Sequence, residues 1–131
     1  MKVVKQLALF VENKPGTLAT VCQALAKKKI NILAISISDA VDHAVVRMVV
    51  DDTTKALHLL GEHGLLVVER EVLLLESHSR PGTLATIARK LARKKINIDY
   101  AYSATPPGAD SAAMVIRVDN VAKAKQVLKD Y

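Results

Sequence analysis

Apolar residues dominate positions 3–11, interrupted only by Lys5-Gln6, and this β-rich run is read as a strand. The polar stretch Glu12-Asn13-Lys14-Pro15-Gly16 breaks it. Over residues 17–28 the period changes. Leu18, Val21, Cys22 and Leu25 recur at i, i+3, i+4 and i+7, the apolar stripe of an amphipathic helix. Residues 30–38 return to a strand, 39–42 turn, and 43–50 form a third strand. Asp51-Asp52-Thr53-Thr54 marks a helix start, because Asp or Thr can accept from the unpaired first amides. That helix carries Ala56, Leu59 and Leu60 and stops near Gly61 and Gly64; residues 65–68 open a fourth strand.

The same order then repeats. Residues 72–77 are a strand, 83–94 a helix, 96–105 and 111–118 two strands, and 120–129 a helix. The repeat is visible residue by residue. Over 14–32 against 80–98, 13 of 19 positions are identical, including Pro-Gly-Thr-Leu-Ala-Thr and Lys-Lys-Ile-Asn-Ile. The Pro106-Pro107-Gly108 turn lengthens the second copy, and beyond it the offset grows from 66 to 68, matching Lys55 with Lys123 and Leu60 with Leu128.

The first copy reads βαββαβ and the second repeats it without a last strand, which favours α+β ferredoxin-like sandwiches: an antiparallel sheet with both helices on one face. The expected modules are residues 1–70 and 71–131. Two irregularities stand out. Residues 65–76 contain no Gly or Pro, so the last strand of the first module can run almost directly into the first strand of the second. The chain also ends at Tyr131, where the second module would begin its last strand. Either that strand is lacking or another segment fills the edge, and an unfilled edge is a route to dimers.

With 131 residues, 50% of them apolar, the chain can bury a substantial core, but each half is close to the lower limit for folding alone. No apolar run is long enough to span a membrane, and the start is too polar for a signal peptide. A single cysteine, Cys22, allows no internal disulfide and suits a reducing cytoplasm; its helix position reads as small core packing. The net charge of +6 comes largely from Lys27-Lys28-Lys29 and Arg93-Lys94-Lys95, at helix ends where cations oppose the dipole.

A strand, then Asn13-Lys14-Pro15-Gly16-Thr17-Leu18 or Ser79-Arg80-Pro81-Gly82-Thr83-Leu84, then a helix ending before Ile30-Asn31-Ile32 or Ile96-Asn97-Ile98, resembles the ACT domain. Two such copies without a catalytic domain are similar to stand-alone tandem ACT proteins, as is Tyr100-Ala101-Tyr102-Ser103. The resemblance implies a cytoplasmic regulatory protein, not an enzyme. It implies a small free amino acid as ligand at module interfaces, a homodimer, a possible metabolic-enzyme partner and no cofactor.

The loop chemistry points the same way. A helix N-terminus has unpaired amides and partial positive charge, a setting for a carboxylate. Gly16 and Gly82 leave the approach open, and Pro15 and Pro81 stiffen it. The expected donors are the amides of Gly16, Thr17 and Leu18, and of Gly82, Thr83 and Leu84. Asn13, Asn31, Ser79 and Asn97 are candidate acceptors for the ammonium group. Asn31 and Asn97 have a second reading, as shapers of a helix-to-strand turn. Asp99, Tyr100 and Tyr102 make the second site the more polar, with the tyrosines on one strand face; packing in the core or under a helix is the alternative for them.

No metal motif, catalytic triad or phosphate-loop signature is present; His43, His58, His63 and His78 fall on different elements. Two other functions share parts of the pattern. One is the regulatory subunit of an amino-acid biosynthetic enzyme such as acetolactate synthase, which the first module resembles. The other is a nucleic-acid-binding ferredoxin-like module, which the absence of aromatics on residues 43–50 and 111–118 disfavours.

Overall fold

A computed structural model describes all residues, Met1–Tyr131. In order, the elements are β1 (Lys2–Glu12), α1 (Thr17–Lys27), β2 (Ile32–Ala40), β3 (His43–Val50), α2 (Thr53–Glu62), β4 (Leu66–His78), α3 (Thr83–Arg93), β5 (Ile98–Ser103), β6 (Ser111–Val118) and α4 (Val121–Val127). The strand order is β2-β3-β1-β4-β6-β5. The ferredoxin-like α+β reading holds, with antiparallel pairing along β1–β3, β2–β3, β4–β6 and β5–β6.

The chain packs as two compact units. One is Lys5–Arg70; the other joins Met1–Val4 to Glu71–Tyr131. In Lys5–Arg70, Leu7, Leu9 and Val11 of β1 and Val46, Met48 and Val50 of β3 share a core with Val21 and Leu25 of α1 and Leu59 and Leu60 of α2. Both helices therefore lie on one face of these strands. In the other unit, Leu73, Leu75, Met114 and Ile116 meet Ile87 and Leu91 of α3 and Ala124 and Leu128 of α4 in the same way. Burying a Leu or Ile side chain contributes about 1.5–3 kcal/mol, so these stripes fix the helices to the sheet.

Both irregularities have a structural outcome. β4 is one strand of 13 residues, and residues 70 and 71 both lie within it. The vacant strand position is filled by the start of the chain: Met1 and Val3 pack against the core of the unit that contains α3 and α4.

Helix ends explain the repeated Lys-Lys-Ile-Asn. Lys29 N–H donates to Ala26 O (2.9 Å) and Ile30 N–H to Leu25 O (3.0 Å), a Schellman termination that recurs as Lys95 to Ala92 and Ile96 to Leu91. The left-handed residues are Lys29 and Lys95, both at φ 57°, and not Asn31 or Asn97. Lys55 Nζ donates to Lys28 O and Lys123 Nζ to Lys94 O, each at 2.7 Å, satisfying a further helix-end carbonyl. Asp52 and Asn120 accept from Lys55 N–H and Lys123 N–H, capping α2 and α4.

Candidate functional site: two Pro-Gly loops at helix starts

The two loops are built alike. Asn13 N–H donates to Asp42 O (3.0 Å) and Ser79 N–H to Asp110 O (2.8 Å), tying each loop to the turn that follows β2 or β5. Pro15 and Pro81 come next, and Gly16 (φ 89°) and Gly82 (φ 92°) then adopt the left-handed conformation that glycine takes without steric cost. A Cβ at either glycine would meet nothing within 4 Å. The N-cap of neither helix makes a side-chain hydrogen bond, so no side chain competes for the first-turn amides; those of Thr17 and Thr83 make long bonds within the loop, to Lys14 O (3.4 Å) and Arg80 O (3.3 Å). Thr20 and Thr86 each donate Oγ1 back to the glycine carbonyl at 3.0 Å, holding the turn.

Each loop opens on a cavity. At the second loop, about 520 Å³ is bounded by Ser77, Arg80, Gly82, Thr86, Asp130 and Tyr131. On the β5 side, about 330 Å³ is bounded by Ser79, Thr83, Leu84, Tyr102 and Ser103, with Ser77 again in the wall. At the first loop, about 390 Å³ is bounded by Pro15, Gly16 and Thr20, but also by Val21, Ala24, Leu60 and Leu65.

Local polar chemistry separates the loops. Thr83 Oγ1 donates to His78 O at 2.9 Å, whereas the matching Thr17 Oγ1 is buried without a partner. Ser77 Oγ is likewise buried and unpartnered, and its repeat position in the first unit is Val11. Lys14 of the first loop is engaged with Glu12 at 2.8 Å; the Glu12 carboxyl is held below its ordinary range by the hydrogen bond and charge of Lys14, and the ammonium is raised in turn.

The sequence-predicted residues divide into two groups. Asn13, Pro15, Gly16, Thr17 and Leu18 come together at one loop, and Ser79, Pro81, Gly82, Thr83 and Leu84 at the other. Asn31 and Asn97 sit at the opposite ends of α1 and α3, each an 11-residue helix of roughly 16 Å. There Asn31 N–H bonds Asp51 Oδ1 and Asn97 N–H bonds Asp119 Oδ1, each at 3.0 Å. Asn97 Nδ2 also donates to Asp99 Oδ1 (2.9 Å), and Asp99 lies 3.9 Å from Arg117 Nε. Tyr100 pairs with Arg117 and Tyr102 with Val115, whereas the helix-side residues Leu73 and Leu75 pair with Ile116 and Met114. Alternation therefore puts both half-buried tyrosines on the face away from the helices, Tyr102 also reaching the second loop's cavity.

The resemblance implies a polar side chain two residues before the loop, where the first copy has Val11 and the second Ser77, and Ser77 lines both cavities; sequence reasoning missed Asp130 and Tyr131 beside the loop. The offset of 68 could have found Tyr131, since it places that residue opposite His63, which borders the first loop's cavity. No group of three His, Cys, Asp or Glu side chains is placed to hold a metal ion, and no helix is long and apolar enough to cross a membrane.

Comparison with known proteins adds three structures. A crystal structure from Bacteroides thetaiotaomicron matches with a TM-score of 0.91 at 35% identity, covering 98% of this chain and 88% of that one. The regulatory subunit of aspartate kinase from Thermus thermophilus shares the fold, with a TM-score of 0.72 at 20% identity over 99% of this chain and 97% of its own. The corresponding subunit from Thermus flavus gives 0.67 at 22% identity, over 98% and 94%. No curated protein sequence matches the chain. The family model described as an ACT domain pair matches residues 1–130, and the chain belongs to that family of regulatory modules.

Proposed function

We propose that the loop at the start of α3 binds the carboxylate of a small free amino acid, and that occupancy is passed on by a change in the arrangement of chains. The observation that carries this reading is the uncapped N-terminus of α3, opened by Gly82 beside the buried, unpartnered Ser77 Oγ. The amides of Gly82 and Leu84 donate to the carboxylate, and that of Thr83 exchanges its long 3.3 Å bond to Arg80 O for the ligand. Ser77 and Ser79 offer acceptors to the ammonium group. The first loop is the weaker site, because Val11 stands where Ser77 does and Lys14 is already paired with Glu12.

Asn31 and Asn97 are a helix length from the loop of their own unit, and we place them, with Asp99 and Tyr100, in a site completed by a second copy. The chain offers an edge for one. β2 ends the strand order, and Leu33, Ile35 and Ile37 are 56%, 41% and 49% exposed along it. No charge guards the strand before Asp39. A ligand that binds one arrangement of copies more tightly shifts the population toward it.

A thermal-shift screen of the twenty amino acids tests the reading. A true ligand at 100 times its dissociation constant stabilises by about 2.7 kcal/mol. If no amino acid shifts the melting curve, the proposal fails. A second reading, a regulatory subunit of a biosynthetic enzyme, draws on the fold shared with the two Thermus subunits. Co-purification with a large catalytic partner would favour it.

A further inference from the structure

The duplicated sequence provides an internal control on charge. Met1–Val4 with Glu71–Tyr131 carries eleven Lys and Arg against six Asp and Glu, whereas Lys5–Arg70 carries eight against seven. The excess is on α3, α4 and the turn that follows α4. Arg89, Lys90, Lys125 and Lys129 stand where the first repeat has Gln23, Ala24, Leu57 and Gly61. The other helix-layer cations, Arg93, Lys94, Lys95 and Lys123, have basic counterparts in the first repeat.

Helix-end chemistry accounts for the shared cations but not for the added ones. Both repeats make the same Schellman termination and the same lysine-to-carbonyl bond. Arg89, Lys125 and Lys129 are exposed and make no ion pair, and Lys90 lies over the Tyr131 ring at 4.9 Å. Arg89 and Arg93 are an i, i+4 like-charge pair within α3, which destabilises a helix. No acid occurs anywhere in 83–95, and only Asp130 in 120–131. α3 and α4 pack side by side over one core, so their outer sides form one basic surface.

We infer that the α3–α4 face is a docking surface for an acidic protein, bordering the second loop's cavity at Tyr131. Charge complementarity sets the sign of the partner. Its class follows from what lies between the cations. Ala85, Ala92 and Ala122 are exposed there, giving short apolar ground for close contact with another protein. Nucleic-acid surfaces also recruit Ser, Thr and Asn to phosphates and aromatics to bases, whereas α3 and α4 carry no aromatic residue and the neighbouring Tyr131 is half-buried beside Lys90.

The test uses fluorescently labelled poly-L-glutamate and a mixed-sequence DNA duplex as probes at low and physiological salt. One variant combines Arg89→Gln, Lys90→Gln, Lys125→Gln and Lys129→Gln. A control removes the same number of charges with Lys2→Gln, Lys27→Gln, Lys28→Gln and Lys29→Gln. The first repeat carries uncharged residues at all four test positions, so the test variant is expected to fold; melting curves check both. The parent should bind poly-L-glutamate, the helix-face variant should bind about tenfold or more weakly, and the control should stay within about threefold. Equal losses in both variants would reduce the effect to net charge and overturn the assignment. No binding of poly-L-glutamate, or tighter binding of the DNA duplex at the same salt, would also overturn it.

Discussion

Lys14 Nζ lies 2.8 Å from a Glu12 carboxylate oxygen, at the entry to the first Pro-Gly loop. Arg80, the residue at the matching position in the second loop, makes no ion pair. The two loops therefore share a backbone and differ in the charge they can offer a ligand.

That pair gives a pH prediction. Glu12 is held below its ordinary value of 4.5, first by the hydrogen bond to Lys14 and then by its charge. A depressed carboxyl contributes stability above its unfolded value, and the contribution is lost as the pH falls through the lower folded value. Glu12 is fully exposed, so the melting temperature should barely register the change. An NMR titration should put the Glu12 midpoint below 4.5, and Lys14→Gln should raise it. An unchanged midpoint in that variant would refute the cause assigned here.

Gly82→Val and Gly16→Val separate strain from function. Both glycines have φ near +90° and open space around a Cβ, so each substitution carries the same backbone strain, on the order of 1–3 kcal/mol. Binding should part the two. Gly82→Val should weaken the amino acid by roughly 30- to 1,000-fold through loss of charge-assisted hydrogen bonds, and Gly16→Val should weaken it far less. Calorimetry on the folded variants measures this. Equal affinities for parent and Gly82→Val would make the loop an ordinary turn.

Lys29 and Lys95 hold φ 57° at helix ends where glycine is the usual solution. Lys29→Gly and Lys95→Gly should each stabilise by about 0.5–1 kcal/mol, since relief of left-handed strain outweighs the added freedom of the unfolded chain. Urea unfolding should show a higher midpoint at constant slope. A lower midpoint would mean that the side chain itself stabilises the turn.

The exposed β2 edge should be the self-association surface. Sedimentation of the parent at tens of micromolar should show more than a monomer, and Ile35→Glu with Ile37→Glu should return it to monomer. These side chains are 41% and 49% exposed, so the fold should tolerate both. A monomeric parent, with or without ligand, would rule the surface out.

The strand and helix order, the one-sided helix layer and the loop positions were legible because they depend on local rules. Leu18, Val21, Cys22 and Leu25 repeat at helical spacing, Pro15-Gly16 can only break a strand, and the second copy repeats both signals. The candidate site was legible only in part. Loop residues adjacent in sequence stay adjacent in space, but Asn31 and Asn97 share the motif while a rigid 11-residue helix carries them to its far end.

By itself, the sequence determined the repeat, the periodicities and the two glycine turns, since each is a property of neighbouring residues. Tertiary structure alone decided that Met1–Val4 completes the unit containing α3 and α4, because that choice depends on which core offers Met1 and Val3 a place to bury. It also decided that Lys29 rather than Asn31 takes the left-handed conformation. Burial of Leu25 and Ile30 in one core fixes where α1 must end, and the residue just before Ile30 absorbs the turn.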